Sequence, residues 1–327
     1  MQARFRHAPE PNVQKFLPAT QPTMHFIGVT TAKSSIIPIF PEWAKELGIN
    51  GLLNGIDFLP DSDPKLYRTA VAQIKADPLS LGALITTHKI NLFRASKDLI
   101  DQLDQNATDL HEVSCLSKHN GQLIGHAMDP ITVGQALSAL VPYGYWKANP
   151  GHVLILGSGG SSLALSLHLH HRAMTGDGPS KIIISAIDKN SLSEMREIHK
   201  RIGFNIPISY RISEYTIETD NLISQLPSNS LIVNATGLGK DRPGSPATDE
   251  VQFPRAAIIW DFNYRGELNF IRQAIKQEKE KNLIISDGWI YFIISWMKVI
   301  GQVFSMNIPS SGPTFERLSR IANNLRV

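Results

Sequence analysis

A chain of 327 residues is too long for one small core and suits two domains of ordinary size, so a cleft between domains is the starting expectation. Hydrophobic residues at 42% against 19% charged supply ample core and argue against disorder, and the net charge of +3 comes from scattered Lys and Arg, with no basic stripe to suit a nucleic acid. The single cysteine, Cys115, excludes an internal disulfide and any Cys-rich metal centre, so no metal site is expected.

A lone thiol suits a reducing compartment, and no apolar run approaches the roughly 20 residues that span a bilayer, so the expectation is a cytoplasmic chain without a membrane partner. Residues 1–23 carry Pro9, Pro11, Pro18 and Pro22 and no apolar signal-peptide core, and they read as an extended arm whose basic start leaves an organellar signal open. Beyond the arm, short apolar runs alternate with helix-period segments, the pattern of parallel sheets with helices on their faces. Residues 24–30 read as a strand, 41–49 as a helix with Pro41 in its first turn, 66–77 as an amphipathic helix, 81–87 as a strand and 91–103 as a third helix. Residues 112–129 read as a hairpin about Asn120-Gly121, and 132–142 as a helix ended by Pro142.

The stretch 142–151, with Pro142, Gly144, Pro150 and Gly151, breaks the periodicity and marks a domain boundary. From residue 152 the order is strand, glycine loop, helix (163–173), strand (181–188), helix (192–202) and strands at 231–236 and 257–262, a dinucleotide-binding series. The apolar helix at 289–304 must pack on something, and the first domain is the obvious place. The expected fold class is therefore α/β. A substrate domain over 24–146, completed by 288–327, accompanies a Rossmann-type domain over 147–287.

The loop Gly157-Ser158-Gly159-Gly160-Ser161 lies between a strand and a helix, where glycine permits a tight turn and lets backbone N–H groups approach a pyrophosphate at the helix start. A Gly-rich turn without a ligand is the plain alternative. Asp188 ends the second strand of this series, where a carboxylate bonds the ribose hydroxyls of NAD; NADP stays open because Lys189 follows and Arg196 lies on the next helix. Asp188 also suits a helix N-cap.

Thr30–Ser35, Thr86–Lys89 and His126–Asp129 each follow an apolar strand, the end at which an α/β sheet places its ligands. With Gly28, Ser34, Lys89, Asp129, the glycine loop, Asn234-Ala235-Thr236, Asp261 and Tyr264 arriving in this order, the chain resembles the shikimate and quinate dehydrogenase family over about residues 24–310. The resemblance implies reversible hydride transfer between a nicotinamide cofactor and a ring hydroxyl or ketone of a small cyclic hydroxy acid, by a monomer or homodimer. It implies a Lys89–Asp129 dyad, a nicotinamide-side loop at Asn234, Ala235 and Thr236, and substrate contacts from Ser34, Ser35, Thr86, Thr87, Ser114 and Tyr264. As hydride leaves carbon, a base must take the hydroxyl proton and a cation must stabilise charge on oxygen; a lysine in a dry cleft has its pKa lowered toward neutrality, while an adjacent carboxylate opposes that shift. Taken singly, Lys89 reads equally as a solvated residue at a helix start and Asp129 as an N-cap before Pro130.

The family's Ser-x-Ser-Pro is here Ser34-Ser35-Ile36-Ile37, its asparagine before the hairpin is Ser114, and Ala83, Ala127 and Met128 stand where it carries polar groups. Replacement groups are at hand in Thr30, Thr31, Thr86, Thr87, Ser114 and His88, while Tyr291 and Phe292 occupy the helical region where the family presents a glutamine. Each substrate hydroxyl left unpaired costs about 1–3 kcal/mol, so shikimate itself is a poor fit and a related acid is expected. A methylenetetrahydrofolate-dehydrogenase-like enzyme and a non-catalytic dinucleotide or metabolite sensor remain the alternatives.

Overall fold

The computed structural model describes residues 18–240 and 242–326, and most of the predicted arm, residues 1–17, lies outside them. The first sheet contains β1 (Thr23–Gly28), β2 (Leu52–Asp57), β3 (Ser80–Ile85), β4 (Gln102–Leu103), β5 (Cys115–His119) and β6 (Gln122–His126) in the order β2-β1-β3-β5-β6-β4. Its strands are linked by α1 (Ile36–Leu47), α2 (Pro64–Ala76), α3 (Lys89–Ser96) and α4 (Gln105–Leu110). β1, β2 and β3 are parallel, and β5 runs against both β3 and β6. Asn120 and Gly121 at the β5–β6 turn have φ of 49° and 76°, the two left-handed residues that a tight hairpin needs.

From the hairpin the chain enters α5 (Asp129–Leu140) and the single turn α6 (Tyr145–Ala148), then a second sheet of β7 (His152–Leu156), β8 (Lys181–Ala186), β9 (Ile208–Ile212), β10 (Leu231–Asn234), β11 (Ile258–Asp261) and β12 (Ile284–Ser286). All six are parallel, in the order β9-β8-β7-β10-β11-β12. The winding reverses between β7 and β10, and a ligand crevice opens beyond the strand ends there. The central strands read as near-continuous Ile, Leu and Val because α7 (Gly160–Met174), α8 (Lys189–Arg201), α9 (Thr216–Ser224), α10 (Asn269–Ile275) and the short α11 (Glu278–Lys281) cover the sheet's two faces.

The chain then returns to the first sheet. Ten of the fifteen residues of α12 (Trp289–Val303) are buried, so it needs cover on most sides. It takes that cover from Met24, Phe26, Trp43 and Met128, with Phe26 edge-on to Trp296 at 4.9 Å. Trp43 Nε1 donates to the Leu318 carbonyl at 2.9 Å, tying α1 to the last helix, α13 (Gly312–Asn324).

Some elements differ from the sequence reading. α1 begins at Ile36, so Pro41 lies inside it. Pro38, third in the helix, removes only an N–H that has no intrahelical acceptor, and the predicted start five residues later over-weighted Pro41. β2 was not expected because Asn54 and Gly55 interrupt its apolar run; it is an edge strand with only Ile56 buried. The third helix stops at Ser96 and passes through a 3₁₀ turn, and β8 ends at Ala186, leaving Asp188 to cap α8.

The two halves pack along α5 and α7, where Gly134 admits the His168 ring: a Cβ on Gly134 would lie 2.2 Å from it. Behind this contact a buried pair fastens the linker. Arg172 donates to Asp177 at 2.6 and 2.9 Å and to the carbonyls of Val141 and Pro142 at 2.8 and 2.6 Å, while Asp177 accepts from the N–H groups of Gly144 and Trp146. Removing the cation would strand a fully buried carboxylate, so Arg172→Ala is expected to destabilise the fold by about 3–5 kcal/mol in urea unfolding. A loss near zero would show that water replaces the clamp.

Candidate active site

Because β5 runs against its neighbours, its start lies beside the ends of β3 and β6, with Cys115 opposite both Leu84 and His126. The end of the parallel strand β1 lies there too. Four segments that are distant in sequence thus meet at one sheet edge, against the glycine loop.

Lys89 is the first residue of α3 and Asp129 the first of α5. The structure brings them together: the Lys89 ammonium donates to Asp129 Oδ2, with the side chains 14% and 12% exposed. Glu112, just ahead of β5, is fully buried, and neither carboxyl oxygen has a hydrogen-bond partner. Tyr291, on α12, comes near enough to feel the charge of both Asp129 and Glu112.

One ammonium therefore faces two carboxyls. Burial acts most strongly on Lys89 and would lower its pKa, but Asp129 and Glu112 outweigh burial and hold it above the ordinary lysine value. The expected lowering is reversed: Asp129 contributes most to this, and Glu112, which the sequence reading did not include, adds to it. Burial pushes Glu112 up to about 7, with Lys89 pulling it down and Asp129 pushing it further up. Burial, then Asp129 and Glu112, raise Tyr291 well above the phenol range, so it keeps its proton.

Around this centre, Ser34 is half-buried and Ser35 buried at the start of α1. Thr86 donates to the Ile27 carbonyl at 3.3 Å, Thr87 is exposed, and Ser114 Oγ accepts from Met128 N at 2.8 Å, which ties the start of β5 to the helix bearing Asp129. Tyr264 packs on Phe292 with ring centres 4.5 Å apart, and the Lys240 ammonium lies 5.3 Å from its ring centre. His88 is a core residue rather than a replacement substrate group. Its Nε2 faces the carbonyls of Gly28 and Phe58 and so carries the proton, leaving Nδ1 to accept from Tyr67.

Across the cleft, Gly157 has φ +107°, and a Cβ on it would lie 2.7 Å from the Ala235 carbonyl, so the loops after β7 and β10 lie against each other. Gly159 borders open space and no side chain caps α7. Ser158 and Ser191 hydroxyls are 2.5 Å apart. Exposed Asp188 accepts from the N–H groups of Asn190 and Ser191, which hold its carboxyl below the usual range. Asn234 is internally engaged: it donates to Asp261 at 3.1 Å and accepts from Thr236 N and Oγ1, which shapes the loop of Asn234, Ala235 and Thr236. Burial pushes Asp261 up to about 7. An uncapped helix start beside an open glycine suits the diphosphate of a dinucleotide.

Sequence reasoning missed Glu112 and left Tyr291 without a role. The signal for Glu112 was an acidic residue directly beside the buried run Val113–Ser117.

The geometry is that of a two-domain α/β protein with a Rossmann-like second sheet and its charged site between the two sheets. No family model matches the chain. It is 26% identical over 179 residues to a shikimate dehydrogenase (NADP(+)) of Lactococcus lactis and over 225 residues to one of Brucella abortus, segments covering 54% and 68% of this chain. These segments span 59% and 68% of the two relatives. Among solved structures, Listeria monocytogenes shikimate 5-dehydrogenase in complex with shikimate and NAD superposes with a TM-score of 0.68 at 17% identity, over 93% of this chain and 96% of that one. Quinate dehydrogenase of Corynebacterium glutamicum in complex with NAD gives 0.68 and 17%, over 93% and 99%. The chain is thus similar to shikimate dehydrogenases at 26% identity, and it shares the two-domain fold of the shikimate and quinate dehydrogenases.

The raised Glu112 pKa carries a stability consequence. Between the ordinary glutamate value of 4.5 and about 7, the folded chain holds this proton more tightly than the unfolded chain, so stability falls as pH rises through that window. Glu112→Gln removes this term. Relative to wild type it should gain up to about 3 kcal/mol between pH 4.5 and pH 8 in urea unfolding; an offset equal at both pH values would mean that Glu112 titrates normally.

Proposed function

We propose that the chain is an NAD(P)-dependent oxidoreductase that interconverts a ring hydroxyl and a ketone on a shikimate- or quinate-like cyclic hydroxy acid. The observation that carries this reading is the buried Lys89–Asp129 pair placed against an uncapped helix start. The nicotinamide cofactor supplies the hydride acceptor or donor when bound. Gly157, Ser158, Gly159, Gly160 and Ser161 would hold its phosphates, Asp188 its ribose, and the loop of Asn234, Ala235 and Thr236 its nicotinamide end.

Lys89 Nζ, kept cationic by two carboxyls, gives its proton to the substrate oxygen during ketone reduction and stabilises negative charge there; in the reverse direction it recovers that proton. Asp129 Oδ2 fixes the ammonium in place. Ser34, Ser35, Thr86 and Thr87 supply hydroxyls for the acid's carboxylate, Ser114 steadies the segment before Asp129, and Tyr264 walls the cleft. The buried, apolar Ile36, Ala83, Ala127 and Met128 support an acid with fewer or differently placed hydroxyls than shikimate.

Asp188 would repel a 2′-phosphate, and Arg196 is already stacked over Tyr210 at 4.8 Å. NAD is therefore expected to bind at least about tenfold more tightly than NADP in a fluorescence titration, by the usual acidic-residue preference; the opposite order would place the 2′-phosphate on Lys189 or Arg196. A panel of cyclic hydroxy acids (shikimate, quinate, and amino and deoxy analogues) assayed with both cofactors identifies the substrate.

On that substrate, Lys89→Met should lower kcat by about 10² to 10⁴ with cofactor affinity nearly unchanged. Asp129→Asn should lower kcat and weaken substrate binding, and the double mutant should be little worse than Lys89→Met, because the two groups act as a unit. Retention of more than about a third of turnover in Lys89→Met would remove this lysine from the proton transfer expected of such a group.

A further inference from the structure

In the proton transfer just described Glu112 acts only through its charge on Lys89, yet its own position calls for a further explanation. It is fully buried and both oxygens lack hydrogen-bond partners. It also lies over the start of α7: a Cβ on Gly160, the first residue of that helix, would be 3.0 Å from Glu112 Oε2. No side chain caps this fifteen-residue helix, and close to its first residue lies the carboxyl of Glu112, the one buried carboxyl among the described residues that accepts no hydrogen bond. The charged or titratable groups facing Glu112 are Lys89 at the start of α3, Asp129 at the start of α5 and Tyr291 on α12, with the Ser161 hydroxyl close by. The only cation among them, Lys89, is already bonded to Asp129.

We propose that Glu112 belongs to the cofactor site: its carboxyl lies against the first turn of α7, beside the place of a dinucleotide's phosphates, and it is protonated when the dinucleotide binds. This rests on the dinucleotide reading of the glycine loop. Two phosphate charges arriving at the turn already faced by a carboxylate put like charges close together in a dry site, and the group that can neutralise itself does so. The step is a simple proton transfer: one proton passes from water to a Glu112 oxygen on binding and returns to water on release, with no change of oxidation state. Burial has already raised this carboxyl to about 7, so the proton is available at physiological pH.

The consequence is a cofactor affinity that weakens as pH rises above about 7. The test measures the dissociation constant of NADH by fluorescence from pH 6.5 to 9 for the whole wild-type chain and for Glu112→Gln. Calorimetry in two buffers of different ionisation enthalpy counts protons taken up per NADH. Wild type should lose about tenfold in affinity between pH 7 and pH 8.5 while taking up a substantial fraction of a proton at pH 8. Glu112→Gln should bind more tightly than wild type at pH 8.5 and vary less than about twofold across the range. Wild-type affinity that is flat with pH, absence of proton uptake at pH 8, or a slope that persists in Glu112→Gln would overturn the proposal. The wild-type calorimetry decides the matter even if the variant does not fold. Failure of both proteins to bind NADH at every pH would instead overturn the dinucleotide reading, and this inference with it.

Discussion

The site is organised by a shortage of positive charge. Lys89 is the only cation among the groups that act on Glu112 and Tyr291, and it faces Asp129 and Glu112 together. Ions taken out of water are tolerated only with partners, so the three side chains constrain one another across α3, α5 and the segment before β5. The arrangement also decides what the lysine is: burial alone would favour a neutral amine, and the carboxyls keep it an ammonium. Such a group holds its proton against water and yields it only to an oxygen on which negative charge develops.

That juxtaposition depends on topology. In an all-parallel first sheet the start of β5 would lie at the opposite edge, and Glu112 with it. The antiparallel β5 instead brings Glu112 and Ser114 to the edge where β3 delivers Lys89 and β6 delivers Asp129. α12 closes the arrangement by bringing Tyr291 beside Asp129 and Glu112. The aromatic packing of Trp289, Phe292 and Trp296 anchors that helix in the first sheet's core.

Much of this was readable from the amino acids. The central parallel strands declare themselves as apolar runs, the hairpin by Asn120-Gly121, and the return of α12 by its lack of a polar face. Edge elements were harder: β2, β9 and β12 are short or polar because one side has no neighbour, which weakens the alternation on which strand recognition rests. Lys89, Asp129 and the glycine loop stood out by type and spacing. Glu112 did not, because only the fold reveals that a lone glutamate ahead of a strand is buried against a glycine from another domain. His88 failed in the opposite sense: beside Lys89 in sequence it resembles a reactive group, yet three hydrogen-bonding contacts hold it in the core.

The seat of the His168 ring on Gly134 makes the two halves a short-armed lever. Gly134 is five residues into α5 from Asp129 and His168 is eight residues into α7 from Gly160, so at about 1.5 Å per residue the arms are roughly 7 and 12 Å long. Rotation of one half by roughly 10° about this fulcrum would move Asp129 by about 1 Å and Gly160 by about 2 Å, on arms of that helical rise. The cleft rim, farther out, would sweep a wider arc. Burial keeps the His168 imidazole neutral down to about 4, so the fulcrum carries no charge over the pH range in which Glu112 titrates. A rotation of this kind would change the width of the cleft rim far more than the separation of Lys89 and Asp129.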